Sequence, residues 1–302
     1  MRPDWLDRDA FPFTPRLVDL GGGEALSVTD VGEGPVVLFS HGTPTWSFEW
    51  RHFLKALAGR YRCIAPDHLG FGLSPRPADG DYRPEAHARR FSRLVDMLGL
   101  ERFHLVVHDF GGPFSLDAAL SRPERVASLT CFNTFAWAFG DGPGTRRMAW
   151  LAGTPLFRWA YGALNLSFVI SRSAWGDRST MTSATWAPYL PVFPDAGSRR
   201  LVLWALAKSM KGSAAYCESL WERRARLAST PMHVVWGLAD TAFPPSALAR
   251  LKQGFPHASV HELPTAGHWP HEEQPAVCVE SVARFLDAHP ATSTHFTAPL
   301  SS

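Results

Sequence analysis

The stretch Leu105-Val-Val-His-Asp-Phe-Gly-Gly-Pro113 holds the residues best placed to do chemistry. An apolar run leads into His108-Asp109-Phe110-Gly111-Gly112 and then directly into a helical pattern. A strand that turns sharply at one residue and re-enters as a helix lifts that side chain above the sheet. The glycines let helix and strand approach closely. The residue at the turn is Asp109. An aspartate there reads as a cap for the following helix or as a nucleophile. With an ordinary pKa of about 3.9, an aspartate is anionic at neutral pH and attacks without a base. It suits displacement at an sp³ carbon bearing a leaving group, and the product is a covalent alkyl ester.

Three other stretches give that reading its partners. His41-Gly42-Thr43-Pro44 follows the apolar run Val36–Ser40, where a loop presents a backbone N–H toward the top of a sheet. Trp236-Gly-Leu-Ala-Asp240 puts an acid just past a strand, and Thr265-Ala-Gly-His268 puts a histidine just past the next. Singly, Asp240 reads as a turn residue and His268 as a surface histidine. Together the order Asp109, Asp240, His268 is that of nucleophile, acid and histidine. In this arrangement His268 is the base for a water that attacks the ester, and Asp240 orients it. The backbone N–H groups of Thr43 and Phe110 hold the tetrahedral oxyanion. No metal or organic cofactor is required. In some proteins that this layout resembles, the acid instead follows the strand after the nucleophile's helix. That position is near Asn133 here, which is neutral, so Asp240 is the expected acid.

These loops need a parallel sheet beneath them. Val36–Ser40, Cys63–Ala65, His104–His108, Val126–Phe132, Met232–Trp236 and Ser259–Pro264 read as short buried strands. Phe91, Leu94, Val95 and Leu98 mark a helix that Gly99 stops, Gly111–Arg122 marks another, and a last helix is expected over Pro275–Ala288. Strands alternating with helices predict an α/β fold with both sheet faces covered. From about Phe135 to Ala225 the strand signal vanishes. That segment holds seven of the 12 tryptophans and 11 Lys+Arg against five Asp+Glu, so it is expected to be an inserted helical subdomain. The predicted division is 1–134 and 226–302 for the core and 135–225 for the insertion. The polar stretch from Pro290 onward is expected to fray.

Composition removes several classes. A net charge of +2 over 302 residues argues against nucleic acid as a partner. No apolar run reaches the roughly 18 residues of a spanning helix, and acids stand where a signal peptide has its apolar core. The expectation is a cytoplasmic protein off the membrane, with oligomeric state left open. The four cysteines are scattered and read as buried thiols.

The chain resembles the haloalkane dehalogenase and epoxide hydrolase branch of the α/β-hydrolases. The carrying stretches are His41-Gly-Thr-Pro-Thr-Trp-Ser47, Pro66-Asp-His-Leu-Gly-Phe-Gly-Leu-Ser74, Val107-His-Asp-Phe-Gly-Gly-Pro113, Trp236-Gly-Leu-Ala-Asp240 and Gly267-His268. The likeness runs through residues 10–290 and is greatest to the dehalogenases. It implies an α/β-hydrolase fold, a mostly parallel sheet flanked by helices, and a helical cap over the site at residues 135–225. It also implies a hydrolase that takes a small apolar substrate, such as a haloalkane, and water.

The chain departs from that pattern where the leaving group would sit. The dehalogenases grip halide with a Trp after the nucleophile, where this chain has Phe110, and often with an Asn after His-Gly, where it has Thr43. Phe offers no donor and Thr one hydroxyl. Trp46, Trp137 and Trp175 are candidates for leaving-group or substrate contacts. Epoxide opening is an alternative, with Tyr161, Tyr189 and Tyr216 as candidate acids, and β-lactone cleavage is another. Haloacetate chemistry would call for an Arg at 110. A ligand-binding fold without catalysis is the non-enzyme alternative, but such folds usually lack a triad member.

Overall fold

The computed structural model describes residues 3–138 and 150–291. Eight strands form one sheet: β1 (Arg16–Gly21), β2 (Glu24–Val31), β3 (Val36–Ser40), β4 (Arg62–Pro66), β5 (Phe103–Asp109), β6 (Val126–Thr134), β7 (Met232–Gly237) and β8 (Ser259–Leu263). Their order is β1-β2-β4-β3-β5-β6-β7-β8. β2 runs antiparallel to β1 and β4, and the pairs from β4 through β8 are parallel. Every residue of β5 and β6 is buried, as expected for central strands covered on both faces. β1 alternates between exposed and buried residues, as an edge strand does. β1 and β2 are the strands not foreseen from sequence. They are joined by Gly21-Gly22-Gly23, all at positive φ, and lie outside the parallel pattern.

The helices that carry the site are α1 (Arg51–Leu57), α2 (Pro84–Met97) and α3 (Gly111–Ser121), with a closing helix over Pro275–Ala288. Gly99, just past α2, has φ +61, the left-handed stop that its position predicts. Between β6 and β7 every described element is helical, from Pro155–Ala163 to Arg223–Leu227. A π-helical turn occupies Arg199–Trp204. The polar C-terminal stretch lies outside the described residues after Ala291. No helix among the described residues is long and apolar enough to cross a membrane.

Candidate active site

Three strand ends converge above the sheet. β5 stops at Asp109, whose φ of 49 lies in the left-handed region. A β-carbon added to Gly42 would come within 2.4 Å of the Asp109 Cβ, and one added to Gly111 within 2.1 Å of the Ser40 carbonyl oxygen. The sharp turn is possible because neither position carries a side chain. Asp109 is also held from behind, where Thr134 Oγ1 donates to its carbonyl at 2.6 Å.

The Asp109 carboxylate has a distinct neighbour on each oxygen. Thr43 N–H donates to Oδ1 at 3.0 Å. Oδ2 lies 3.3 Å from His268 Nε2. The other ring nitrogen, His268 Nδ1, is 2.8 Å from Asp240 Oδ2. All three side chains are buried. Burial works against charge on His268, but Asp240 and Asp109 on its two sides outweigh it and push its pKa up to about 10. Burial likewise works to raise the Asp240 carboxyl, yet His268 and Asn133 hold it below the usual carboxylate range.

Asn133 is a residue that sequence reasoning weighed only as a missing acid. Its Nδ2 donates to Asp240 Oδ2 at 2.7 Å and to the Gly237 carbonyl at 3.2 Å, while Gly237 N–H donates to its Oδ1 at 2.9 Å. It thus steers the acid from the neighbouring strand end. Its place at the end of β6, beside β7, was the signal available in sequence.

The carboxylate faces a cavity of about 470 Å³ lined by Asp109, His268, Thr43 and Phe110 from the core and by Tyr161, Ser167, Ile170, Ser171 and Met210 from the helical segment. A larger groove, about 680 Å³, runs between residues 80–83 and 197–212 and touches none of the three. The helical segment is pinned to the histidine loop. His268 N–H donates to the Ala174 carbonyl at 2.8 Å. The Glu273 carboxylate accepts from Gly176, Asp177 and Gly267 N–H at 3.2, 2.7 and 2.8 Å.

The three tryptophans expected at the leaving group lie elsewhere. Trp46 is fully buried, stacks on Phe48 and donates to the Pro188 carbonyl at 3.2 Å. Trp175 stacks on Trp269 and donates to Thr180 Oγ1 at 2.9 Å. Trp137 packs edge-on against Trp221 under the Arg250 guanidinium. None of them lines the cavity that Asp109 faces. Hydrophobic packing and local hydrogen bonds account for all three. Phe110 does line it, with its ring against Phe114 and Phe135. Of the candidate tyrosines, Tyr189 bonds Glu272 and Tyr216 donates to the Pro113 carbonyl at 2.7 Å. Tyr161 alone lines the cavity, and desolvation raises its hydroxyl pKa.

Behind the site, Glu49, His108 and His271 bring one ligand atom each within 4.8 Å of one another.

A family model described as alpha/beta hydrolase fold matches residues 35–275. The chain is 35% identical over 271 residues to haloalkane dehalogenase 2 of Mycobacterium tuberculosis, covering 89% of this chain and 93% of the relative. It is 31% identical to a cis-3-alkyl-4-alkyloxetan-2-one decarboxylase of Xanthomonas campestris pv. campestris, covering 93% and 98%. A haloalkane dehalogenase loop variant from Bradyrhizobium elkanii superposes with a TM-score of 0.78 at 25% identity, over 91% of this chain and 97% of that one.

Proposed function

The chain belongs to the α/β-hydrolase fold family, in its haloalkane dehalogenase-like branch, and on that premise we propose a hydrolase that works through an alkyl ester on Asp109. One observation carries the reading: Asp109 presents Oδ1 to the Thr43 N–H and Oδ2 to a histidine that Asp240 holds. Oδ2 attacks an sp³ carbon. The C–O bond forms as the bond to the leaving group breaks, and the leaving group departs with the electron pair. Water then attacks the ester carbonyl carbon while His268 Nε2 takes its proton. Oδ1 carries the oxyanion and already sits in the Thr43 N–H, with the Phe110 N–H as the second donor of the proposal. Collapse expels the alkoxide, which takes the proton back from His268 and leaves as the alcohol. The second proton of the water then passes from the Asp109 carboxyl to His268, which restores the carboxylate and the protonated ring of the resting site.

The raised pKa of His268 fits a switch between the two steps. In the resting site the ring lies between two carboxylates and holds its extra proton. Esterification makes Asp109 neutral and removes one of the two stabilising charges. The ring then releases a proton to solvent and becomes the base.

Residues 135–225 act in this proposal as the cap that closes the cavity. The substrate is a small apolar molecule of the haloalkane type, the class named for the Mycobacterium tuberculosis relative. Tyr161 favours a second reading, ring opening of an epoxide or β-lactone. Tyr161 lines the cavity, and a phenol hydroxyl is a donor suited to a departing oxygen.

Intact mass of His268→Ala tests both. Ester formation does not need the histidine, whereas ester hydrolysis does. A 1-bromoalkane that leaves its alkyl group without halogen on Asp109 assigns halide displacement. An adduct carrying the whole mass of an epoxide or β-lactone assigns ring opening. A folded variant that gains no mass from any of them overturns the aspartate ester.

A further inference from the structure

Glu49, His108 and His271 are buried ionisable groups that the ester mechanism does not use. Glu49 lies in the short helical turn Ser47–Trp50, His108 is the last residue before Asp109, and His271 is in the turn Pro270–Glu273. His108 Nε2 is 2.9 Å from the His268 carbonyl oxygen. A carbonyl only accepts, so Nε2 carries a proton. Nδ1 stands 3.3 Å from each oxygen of Glu49. That contact also needs a proton, and the Gly42 N–H, donating to Glu49 Oε1 at 3.4 Å, favours the charged carboxylate. From these contacts we infer that His108 is a doubly protonated imidazolium paired with an anionic Glu49, and that the pair ties the oxyanion loop to the loop of His268.

The other charged groups around the pair agree with one cation. His271 approaches Glu49 at 3.9 Å and lies edge-on to His108 at 4.6 Å between ring centroids. Neither of its ring nitrogens has a hydrogen-bond partner within normal distance among the described residues. Desolvation, with His108 beside it, pushes its pKa down to about 4, as a neutral ring next to an imidazolium requires. His41 on the oxyanion loop is also kept low, by burial. Glu272, beside His271, is taken up by Arg51. His268, whose carbonyl receives the Nε2 proton, directs its own ring to Asp240 and Asp109.

Each end of the pair holds something the second half-reaction needs. Glu49 holds Gly42, so the next N–H, that of Thr43, points at Asp109 Oδ1. His108 holds the backbone of the histidine that activates water. Glu49 and His108 are positioning residues, and their kinetic role rests on the ester mechanism proposed above.

The protonation state is tested without substrate. In histidine-¹⁵N-labelled protein at about pH 8, where an ordinary imidazole has lost its second proton, the His108 ring, assigned from backbone correlations, should show two N–H groups. Glu49→Gln should leave it with one, on Nε2. In single-turnover measurements Glu49→Gln should slow ester hydrolysis about tenfold while ester formation changes by less than about twofold. A single ring proton on wild-type His108, or an unchanged two-proton ring in Glu49→Gln, overturns the pair. Ester hydrolysis that is unaffected in a folded Glu49→Gln overturns the positioning role. A transition metal at one per chain by elemental analysis also overturns the pair, since the three ligand atoms would then hold an ion in place of the proton. If His268→Ala traps no adduct while the ring still shows two protons, the ester mechanism fails and the pair stands.

Discussion

At the scale of single residues, the site is a row of charges in which each proton has a place. His268 sits between Asp109 and Asp240, so neutralising one flank should change its affinity for a proton. Asp109→Asn imitates the charge of the ester. It is expected to bring the His268 pKa down from about 10 toward the ordinary histidine range, read by NMR titration of the ring. An unchanged titration would mean that Asp109 does not control the histidine. The leaving-group side makes a second prediction. Phe110 lines the cavity without a donor. Phe110→Trp puts an indole N–H beside the departing atom. A hydrogen bond to a charged group is worth about 1.5–3 kcal/mol, so turnover of bromoalkanes should rise about tenfold to a hundredfold if halide leaves there. No gain with bromoalkanes, alongside activity on an epoxide that Tyr161→Phe removes, would assign the oxygen leaving group. The grouping of Asp109, Asp240 and His268 was legible in sequence because Asp109 ends a strand and the other two lie in the loops that follow one, where the end of an apolar run is easiest to read. The tryptophans were not. An indole that packs and one that donates to a ligand have the same sequence signature, and only the contacts of Trp46, Trp137 and Trp175 separate them. Glu49 and His271 escaped notice for a related reason. They are 222 positions apart in the chain and meet only once the Ser47–Trp50 and Pro270–Glu273 turns pack against each other.

At the scale of elements, the strands from β3 to β8 were read from short apolar runs, since a buried parallel strand has little else in it. The β1–β2 hairpin lacks that signature, because β1 alternates between solvent and core and β2 buries the polar Ser27 and Thr29 among its apolar residues. What the sequence could not show is how tightly the helical segment is stitched to the histidine loop. Gly176 and Gly267 pass so closely that a β-carbon on Gly267 would lie 2.3 Å from the Gly176 nitrogen. The Glu273 carboxylate collects three N–H groups across that seam. A Glu273→Gln side chain has one acceptor oxygen and turns an NH₂ toward donors. Leaving N–H groups unpaired there should cost about 1.5–3 kcal/mol in denaturant unfolding. Because Gly267 precedes His268, the same variant should slow ester hydrolysis more than ester formation. A stability within about 0.5 kcal/mol of wild type would show that the seam does not depend on this carboxylate.

At the scale of the whole molecule, the fold depends on keeping many histidines neutral. His41, His68, His87, His104, His233 and His271 are all buried, and burial pushes each below its ordinary pKa, to about 4 for the last three. The unfolded chain takes up their protons at about pH 6.5, whereas the folded chain does so only well below that. Their contribution is therefore present above about pH 6.5 and is lost as pH falls toward 4. Each such proton is worth about 1.4 kcal/mol per pH unit, so the five held at about 4 or well below the ordinary value approach about 7 kcal/mol per unit together. Domains are typically stable by about 5–15 kcal/mol, and acid unfolding should therefore be steep and complete within about two pH units below 6.5. His268 works in the opposite direction. Its folded pKa is raised, so its contribution is full below about pH 6.5 and is lost as pH rises through about 10. The acid limb can be tested at one position. The His87 ring lies 4.3 Å from that of Phe114 and has no hydrogen-bond partner at either nitrogen among the described residues. His87→Phe keeps a planar ring in that place and removes one proton site. Stability measured by denaturant at a series of pH values should then fall less steeply between about pH 6.5 and 4, by close to one proton, and the acid midpoint should move to lower pH. At about pH 8 the variant should be as stable as wild type or more so, because an unpaired buried imidazole has been replaced by hydrocarbon. An unchanged acid slope in a folded His87→Phe would show that His87 already shares its protons equally between the folded and unfolded chains, and the acid limb would then have to come from carboxylates such as Asp240.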